Sequence, residues 1–107
     1  MLRQDKIIYV IELDREVLSD RKFQEANPQY LCDKPCVYIG MTGRTPEERF
    51  KQHKTGYKAN KYVRKYGLRL RPRLYAYHNP MTYEEAKAME VEKARRLRNR
   101  GYAVWQK

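Results

Sequence analysis

Apolar and polar positions divide the first part of the chain into two strands joined by a polar segment. The run KIIYVIELD, residues 6–14, is apolar and rich in β-branched side chains, which predicts a buried strand. CVYIG, residues 36–40, predicts a second strand that ends at its glycine, and MTGRT predicts the turn after it. Between the strands, REVLSDRKFQEA predicts a short helix and NPQYLCDKP, with its two prolines, a loop.

Helix start signals follow the second strand. Thr45 is a predicted N-cap, Pro46 suits the first helical position, and Glu48 completes a predicted capping box. We expect this helix to end near Gly56. Residues 57–67 predict a second short helix that stops at its final glycine.

The last third of the chain predicts one strand and one long helix. LRLRPRLYAYH alternates apolar and polar side chains, which predicts a third strand at residues 73–78 with a proline near its start. Thr82 and Glu85 form a second predicted capping box, and the helix that they begin should end near Arg100. The closing YAVWQ suits a short strand. The pattern predicts an α+β fold with a small, mainly antiparallel three-stranded sheet flanked by helices.

Length and hydropathy indicate one compact, water-soluble unit. The chain has 107 residues, which fits a single domain. No apolar run approaches the ~20 residues of a membrane span. The N-terminal residues lack a small-residue cleavage site, so we expect no signal peptide, no membrane and a cytoplasmic location.

The formal net charge of +11 lies entirely in the second part of the chain. Residues 1–45 hold equal numbers of basic and acidic side chains, whereas residues 49–73 hold ten Lys or Arg and no acid. Such a block predicts a polyanionic partner: nucleic acid, an anionic membrane or an acidic protein. Tyrosines within the block favour nucleic acid, because aromatic rings stack on bases. A solvated basic face with its tyrosines in the core remains the alternative.

The two cysteines do not predict a metal site. Cys32 and Cys36 are four residues apart, and His53 and His78 are the other soft ligands in the chain. A structural zinc ion takes about four ligands, and these histidines lack zinc-finger spacing. We therefore expect free thiols.

Two helices carry side chains that suggest chemistry. Arg49, His53 and Tyr57 are spaced four residues apart and should share one helix face. In the last helix, Glu90 is the single acid of an otherwise core-facing stripe, while Glu92 points away by about 160°. A carboxylate on such a stripe needs a partner, such as a metal ion or an arginine, or else lies at its solvated edge. Periodicity leaves both readings open.

The run VYIGMTGRTPEERFKQH resembles the second half of the GIY-YIG endonuclease signature. Tyr38, Gly40, Arg49 and His53 match its strand tyrosine, its glycine, its catalytic arginine and the histidine four residues later in homing-type members. Tyr9, in IIYV, matches the tyrosine of the first half.

The resemblance implies a metal-dependent DNA endonuclease. Tyr9 or Tyr38 would be the general base, Arg49 would stabilise the charge on phosphorus, and His53 would assist. A cation near a tyrosine would lower the phenol's pKa. A downstream helix should supply one carboxylate for Mg²⁺ or Mn²⁺, and the stripe selects Glu90. DNA, or another nucleic acid, would be held by a set of loop and helix residues. That set is Gly40, Arg44, Lys51, Lys54, Lys58, Lys61, Arg64 and Lys65.

Three departures from the motif are visible. Ile7 replaces the first glycine of GIY. Tyr9 and Tyr38 are 29 residues apart where the family usually has a tight hairpin, so about 14–35 would be an insertion. Met41 and Thr42 stand where repair-type members often have a lysine, for which Arg44 is a substitute.

These departures keep two other functions open. One is a nucleic-acid-binding module that has lost catalysis, and the other is an adaptor for acidic proteins or membranes that uses the basic face. One domain without a further DNA-reading motif also implies either structure-directed cleavage or a protein partner that supplies targeting.

Overall fold

The computed structural model describes residues 3–106. Its centre is a four-stranded mixed sheet of β1 (Ile7–Leu13), β2 (Cys36–Thr42), β3 (Gly67–Leu70) and β4 (Ala103–Gln106), in the order β3-β1-β2-β4. β1 is antiparallel to β2 and β3, and β4 is parallel to β2. The α+β class is confirmed, but the prediction of three strands is wrong because the closing segment adds a fourth.

Four helices and three 3₁₀ turns surround the sheet. The helices are α1 (Arg21–Glu25), α2 (Pro46–Thr55), α3 (Lys61–Tyr66) and α4 (Tyr83–Asn99). The 3₁₀ turns are Arg15–Ser19, Pro72–Leu74 and Ala76–His78. α2 and α3 pack against β1 and β3, whereas α4 packs against β4 and β2. Within residues 3–106, no helix is long and apolar enough to cross a bilayer.

Side-chain caps fix where the helices begin. The hydroxyl of Thr45 accepts from Glu48 N, and Gly56, directly after the last residue of α2, caps the helix in the left-handed region, with a φ of 94° that favours glycine. The carboxylate of Glu48 accepts from the Thr45 hydroxyl instead of the backbone, so half of that predicted capping box forms. The capping box of Thr82 and Glu85 is complete, as predicted.

Two boundaries differ from the sequence prediction. α2 ends at Thr55, so Tyr57 lies in the following turn and not on the helix face of Arg49 and His53. The second short helix begins at Lys61 and not at residue 57, because the side chain of Asn60 caps it by accepting from the amides of residues 62 and 63.

The third strand was predicted at residues 73–78, which is wrong. It lies at Gly67–Leu70, and 3₁₀ turns occupy residues 72–78. Pro72 has no amide hydrogen to give to a neighbouring strand, so pairing stops there. The chain returns to β1 at Asn79, whose side-chain amide donates to Ile8 O and accepts from Ile8 N, both at 2.9 Å.

A second asparagine closes the opposite edge of the sheet. Asn27 accepts from Val104 N at 2.7 Å and donates to Val104 O at 3.0 Å. The segment between β1 and β2 supplies this residue, and Asp20 in the same segment accepts from the Tyr62 hydroxyl on α3 at 2.9 Å. The segment between β1 and β2 therefore covers the edge strand β4 and contacts α3 through Asp20.

Candidate active site

Tyr9 and Tyr38 lie side by side on one face of the β1–β2 pair. Tyr9 pairs with Gly40, and Tyr38 pairs with Ile11, so the two phenols project from the same face. Their ring centroids are 6.2 Å apart, and both residues are at most 2% exposed. A Cβ at Gly40 would stand 2.6 Å from the Tyr9 hydroxyl oxygen, so the absence of a side chain there makes room for the phenol.

His53 joins the tyrosines from α2. Its Nε2 lies 2.9 Å from the Tyr9 hydroxyl, and its Nδ1 accepts from the backbone amide of Asn60 at 3.0 Å. An acceptor Nδ1 places the proton of the neutral ring on Nε2. His53 is 1% exposed, and its Nε2–H therefore donates to the Tyr9 oxygen.

Burial keeps both phenols protonated near neutral pH. It raises the pKa of Tyr38 to about 12 and raises the pKa of Tyr9 as well. The Glu90 carboxylate adds to both rises in pKa, while the Arg49 guanidinium lowers both. The expected effect of a cation on the pKa is present, but burial outweighs it.

Arg49 is held at the cleft by the turn that follows α2. Its Nη2 donates to Lys58 O at 2.8 Å, and its Nη1 donates to Tyr57 O at 3.3 Å and to Gln52 Oε1 at 3.2 Å. Lys58 has a φ of 45°, an unusual backbone conformation for a residue with a side chain. The cleft has a volume of about 220 Å³. Its lining is Tyr38, Arg49, His53, Lys58, Ala59 and Asn60.

Glu90 and Glu92 occupy different surroundings on α4. Glu90 is 5% exposed, and its charge acts on both tyrosines. Glu92 is bound by two arginines of its own helix, Arg95 at 2.5 Å and Arg96 at 2.9 Å, which lower its pKa to about 2. Glu90 therefore lies within electrostatic range of the tyrosines, whereas Glu92 belongs to a surface ion-pair network.

Comparison with known proteins decides the family. The model of the GIY-YIG catalytic domain matches residues 6–102 of the 107-residue chain. The protein belongs to the GIY-YIG family. No curated protein and no solved structure matches the chain. Membership places it in a nuclease superfamily.

Members of this family generally use a divalent metal ion, and in the part of the chain that the structure describes this GIY-YIG protein offers a single buried carboxylate, Glu90, to hold one. Within residues 3–106, no group of three His, Cys, Asp or Glu side chains stands ready to hold a metal. Mg²⁺ does not need such a group, because it commonly binds one or two carboxylates together with water and substrate phosphate. The buried Glu90 beside two phenols suits that mode of binding.

The predicted nucleic-acid residues of the GIY-YIG protein spread over a larger surface. Arg44 is 64% exposed and pairs with Glu48 at 3.7 Å. Lys54 donates to the carbonyls of Arg64 and Gly67, so it also ties α2 to the end of α3. Gly40 is buried against the Tyr9 ring and does not offer a surface to nucleic acid, whereas the remaining predicted residues outside the cleft project as exposed side chains. They are Lys51, Lys61, Arg64 and Lys65.

Sequence reasoning missed three residues that position the site. Asn60 sets the tautomer of His53 through its backbone amide, while Gln52 and the carbonyl of Lys58 hold Arg49. The asparagine before KYVRKY was a readable N-cap signal. No sequence signal marks the other two contacts, because one uses a backbone carbonyl and the other an ordinary glutamine.

The cysteines lie away from this chemistry. Cys32 is exposed in the connection between β1 and β2, and Cys36 is buried at the start of β2. Both are free thiols, as predicted.

Proposed function

We propose that this GIY-YIG protein is a divalent-metal-dependent endonuclease that cleaves phosphodiester bonds in DNA. The observation that supports this most strongly is convergence. Tyr38, Arg49 and His53 line one cleft. Tyr9 bonds to His53, and the buried Glu90 carboxylate acts electrostatically on both tyrosines, so four separate elements contribute. A nucleic-acid-binding module without catalysis would not need a buried carboxylate within electrostatic range of two buried phenols.

Proton transfer is assigned to Tyr38, because it lines the cleft whereas Tyr9 does not. Because burial holds the pKa of Tyr38 high, this phenol would first release its own proton to solvent, and its phenolate would then take the proton of the attacking water. The Arg49 guanidinium, which lowers the pKa of Tyr38, would stabilise that phenolate, while His53 Nε2–H donates to the oxygen of the neighbouring Tyr9. Glu90 would hold the divalent ion, whose positive charge would favour loss of the phenol proton.

Arg49 is the residue proposed to bind the phosphate. Its contacts within residues 3–106 use Nη1 and one hydrogen of Nη2. The Nε–H and the second Nη2 hydrogen lie along one edge of the guanidinium, an arrangement that binds two phosphate oxygens at once. The turn carbonyls therefore orient Arg49 while leaving an edge for the charge that develops on phosphorus.

Nicking of supercoiled plasmid in Mg²⁺ or Mn²⁺ tests the proposal, with Glu90→Gln and Glu92→Gln as a matched pair. We expect Glu90→Gln to lose at least about 100-fold in rate, comparable to removing one electrostatic group from an active site. Glu92→Gln should keep the rate, because its carboxylate is bound to arginines outside the cleft. Equal rates for both variants, or nicking that survives EDTA, would contradict the metal role of Glu90.

A binding module without catalysis is the second candidate, and Ile7 favours it. This residue occupies the place of the motif's first glycine, at the start of β1 and two residues before Tyr9. Under this alternative, DNA binding persists and no divalent ion produces nicking. The plasmid assay separates the two candidates directly.

A further inference from the structure

A second, larger cleft opens beside the first. It has a volume of about 630 Å³ and shares Arg49 and Lys58 with the smaller cleft. Its lining includes Thr42 at the end of β2, Arg44 in the loop that follows, and Tyr57. Whatever occupies this cleft lies directly next to the group bound by Arg49.

Tyr57 is an exposed aromatic ring on a fixed backbone. It is 57% exposed, whereas Tyr9, Tyr38 and Tyr62 are nearly completely buried. Its amide donates to Gln52 O at 3.0 Å, and its carbonyl accepts from Arg49. The backbone that carries the ring is therefore held in place, while the ring itself does not contribute to the core.

The other two markedly exposed tyrosines of residues 3–106 have different surroundings. Tyr77 already accepts from Lys93 and packs on His78, with ring centroids 4.0 Å apart. Tyr83 is the first residue of α4. Tyr57 is the exposed tyrosine that lines a cleft.

Cations flank the Tyr57 ring. The Lys58 ammonium lies 5.6 Å from the ring centroid, and Arg44 and Arg49 line the same cleft. The residues that line the cleft include no acid, although Arg44 also pairs with Glu48 at 3.7 Å. An aromatic face with excess positive charge fits a base and its phosphate, because stacking binds the base and the cations bind the backbone.

We propose that the second cleft binds one unpaired nucleotide next to the cleaved phosphate. Its base would stack on Tyr57, and its phosphate would lie between Arg44 and Lys58. A base inside a duplex has both faces covered, so stacking requires a strand end, a flap, a junction or an extruded base. This deepens the proposed function and rests on it: the preferred substrate is DNA with unpaired bases at the cleavage site.

Binding without cleavage tests the proposal. Fluorescence anisotropy in EDTA would compare oligothymidine of about a dozen nucleotides with an abasic oligomer of equal length and charge. The proteins are wild type, Tyr57→Ala, Tyr57→Phe and, as the control, Tyr83→Ala. We expect Tyr57→Ala to weaken oligothymidine binding about five- to 150-fold, the range for loss of one stacked base, and to leave abasic binding within about twofold.

The variants distinguish the possible failures. Tyr57→Phe should bind as wild type because it keeps the ring, and Tyr83→Ala should bind both oligomers as wild type. An equal loss on both oligomers, or no loss on either, would overturn the stacking site while leaving the endonuclease proposal intact. Absence of nucleic-acid binding by the wild type would instead overturn the proposed function.

Discussion

Gly40 shows how much of the site depends on a missing side chain. The motif names this glycine, but the structure gives the reason for it: the Tyr9 hydroxyl oxygen occupies the place where a Cβ would be. The same lesson applies to His53, whose Nδ1 partner is a backbone amide seven residues away. The principal side chains were predictable from motif spacing, whereas backbone partners of this kind were not.

Replacing Gly40 by alanine should displace the Tyr9 phenol. We expect Gly40→Ala to cost about 1–3 kcal/mol in the free energy of unfolding, the usual range for overpacking a core. Gly43→Ala is the control, because its added Cβ would meet only the end of the Lys6 side chain, at 3.2 Å. Urea unfolding measures both, and an equally small loss for the two variants would contradict the close packing at Gly40.

The burial of Tyr38 predicts a dependence of stability on alkaline pH. Its pKa is raised to about 12 from the ordinary value of 10.0, so the folded state holds the proton more tightly than the unfolded state. Stability from this group is complete below pH 10 and is lost as pH rises through the folded pKa. The loss is on the order of 2–3 kcal/mol for a shift of this size.

The comparison of wild type with Tyr38→Phe isolates this effect. Urea unfolding at several pH values from 8 to 11 should show a constant difference in unfolding free energy up to about pH 10. Above that pH the wild type should lose stability faster than Tyr38→Phe, because the phenylalanine has no proton to release. A difference that stays constant to pH 11 would show that burial does not raise the pKa of Tyr38.

At the scale of helices and strands, helix caps could be predicted from the sequence, whereas pairings between distant strands could not. Thr45 and Thr82 cap helices as predicted, because a cap involves residues three positions apart. The third strand was misplaced because alternation in LRLRPRLYAYH does not reveal where pairing with β1 stops. The parallel pairing of β4 with β2 joins residues far apart in sequence, so no local pattern predicts it.

Asparagine side chains satisfy backbone groups of the sheet, Asn79 at β1 and Asn27 at the edge strand β4, so a nearly isosteric change should be costly. Asn27→Leu would leave the buried Val104 N–H without an acceptor, while Val104 O would still accept from Arg98. We expect a loss of about 1–3 kcal/mol in unfolding free energy, the cost of one unsatisfied buried group. The control is Asn99→Leu, at an exposed position in the last turn of α4.

Thermal or urea unfolding of the two leucine variants decides the point. Asn99→Leu should stay within about 0.5 kcal/mol of the wild type, as is usual for surface changes. If Asn27→Leu is equally harmless, the connection between β1 and β2 does not hold the β4 edge.

At the scale of the whole molecule, charge and chemistry lie on the same part of the chain. Residues 49–73 contain both the Arg49–His53 pair and a run of basic side chains without an acid. Exposed lysines of this run lie on α2 and α3, the two helices next to the cleft. Backbone phosphates bound by this surface would bring the cleaved phosphate to Arg49, so affinity and catalysis should be separable by mutation.

Neutralising three exposed lysines should reduce the salt dependence of DNA binding. The variant Lys51→Gln/Lys61→Gln/Lys65→Gln removes three charges, and each contact to duplex DNA contributes about 0.9 to the slope of log K against log salt. We therefore expect the slope to fall by about 2 to 3. Lys54 is left in place because it also bonds the carbonyls of Arg64 and Gly67.

Arg49→Ala should give the opposite pattern, which makes the two variants each other's control. Its side chain binds one phosphate at most, so the salt slope should change by about one unit or less, while cleavage should fall at least about 100-fold. The triple lysine variant should keep its cleavage rate at saturating DNA, because its substitutions lie outside the cleft lining. If Arg49→Ala still cleaves at the wild-type rate, the arginine does not stabilise charge on phosphorus. The protein would then act as a nucleic-acid-binding module, because binding requires the basic face and makes no use of the cleft.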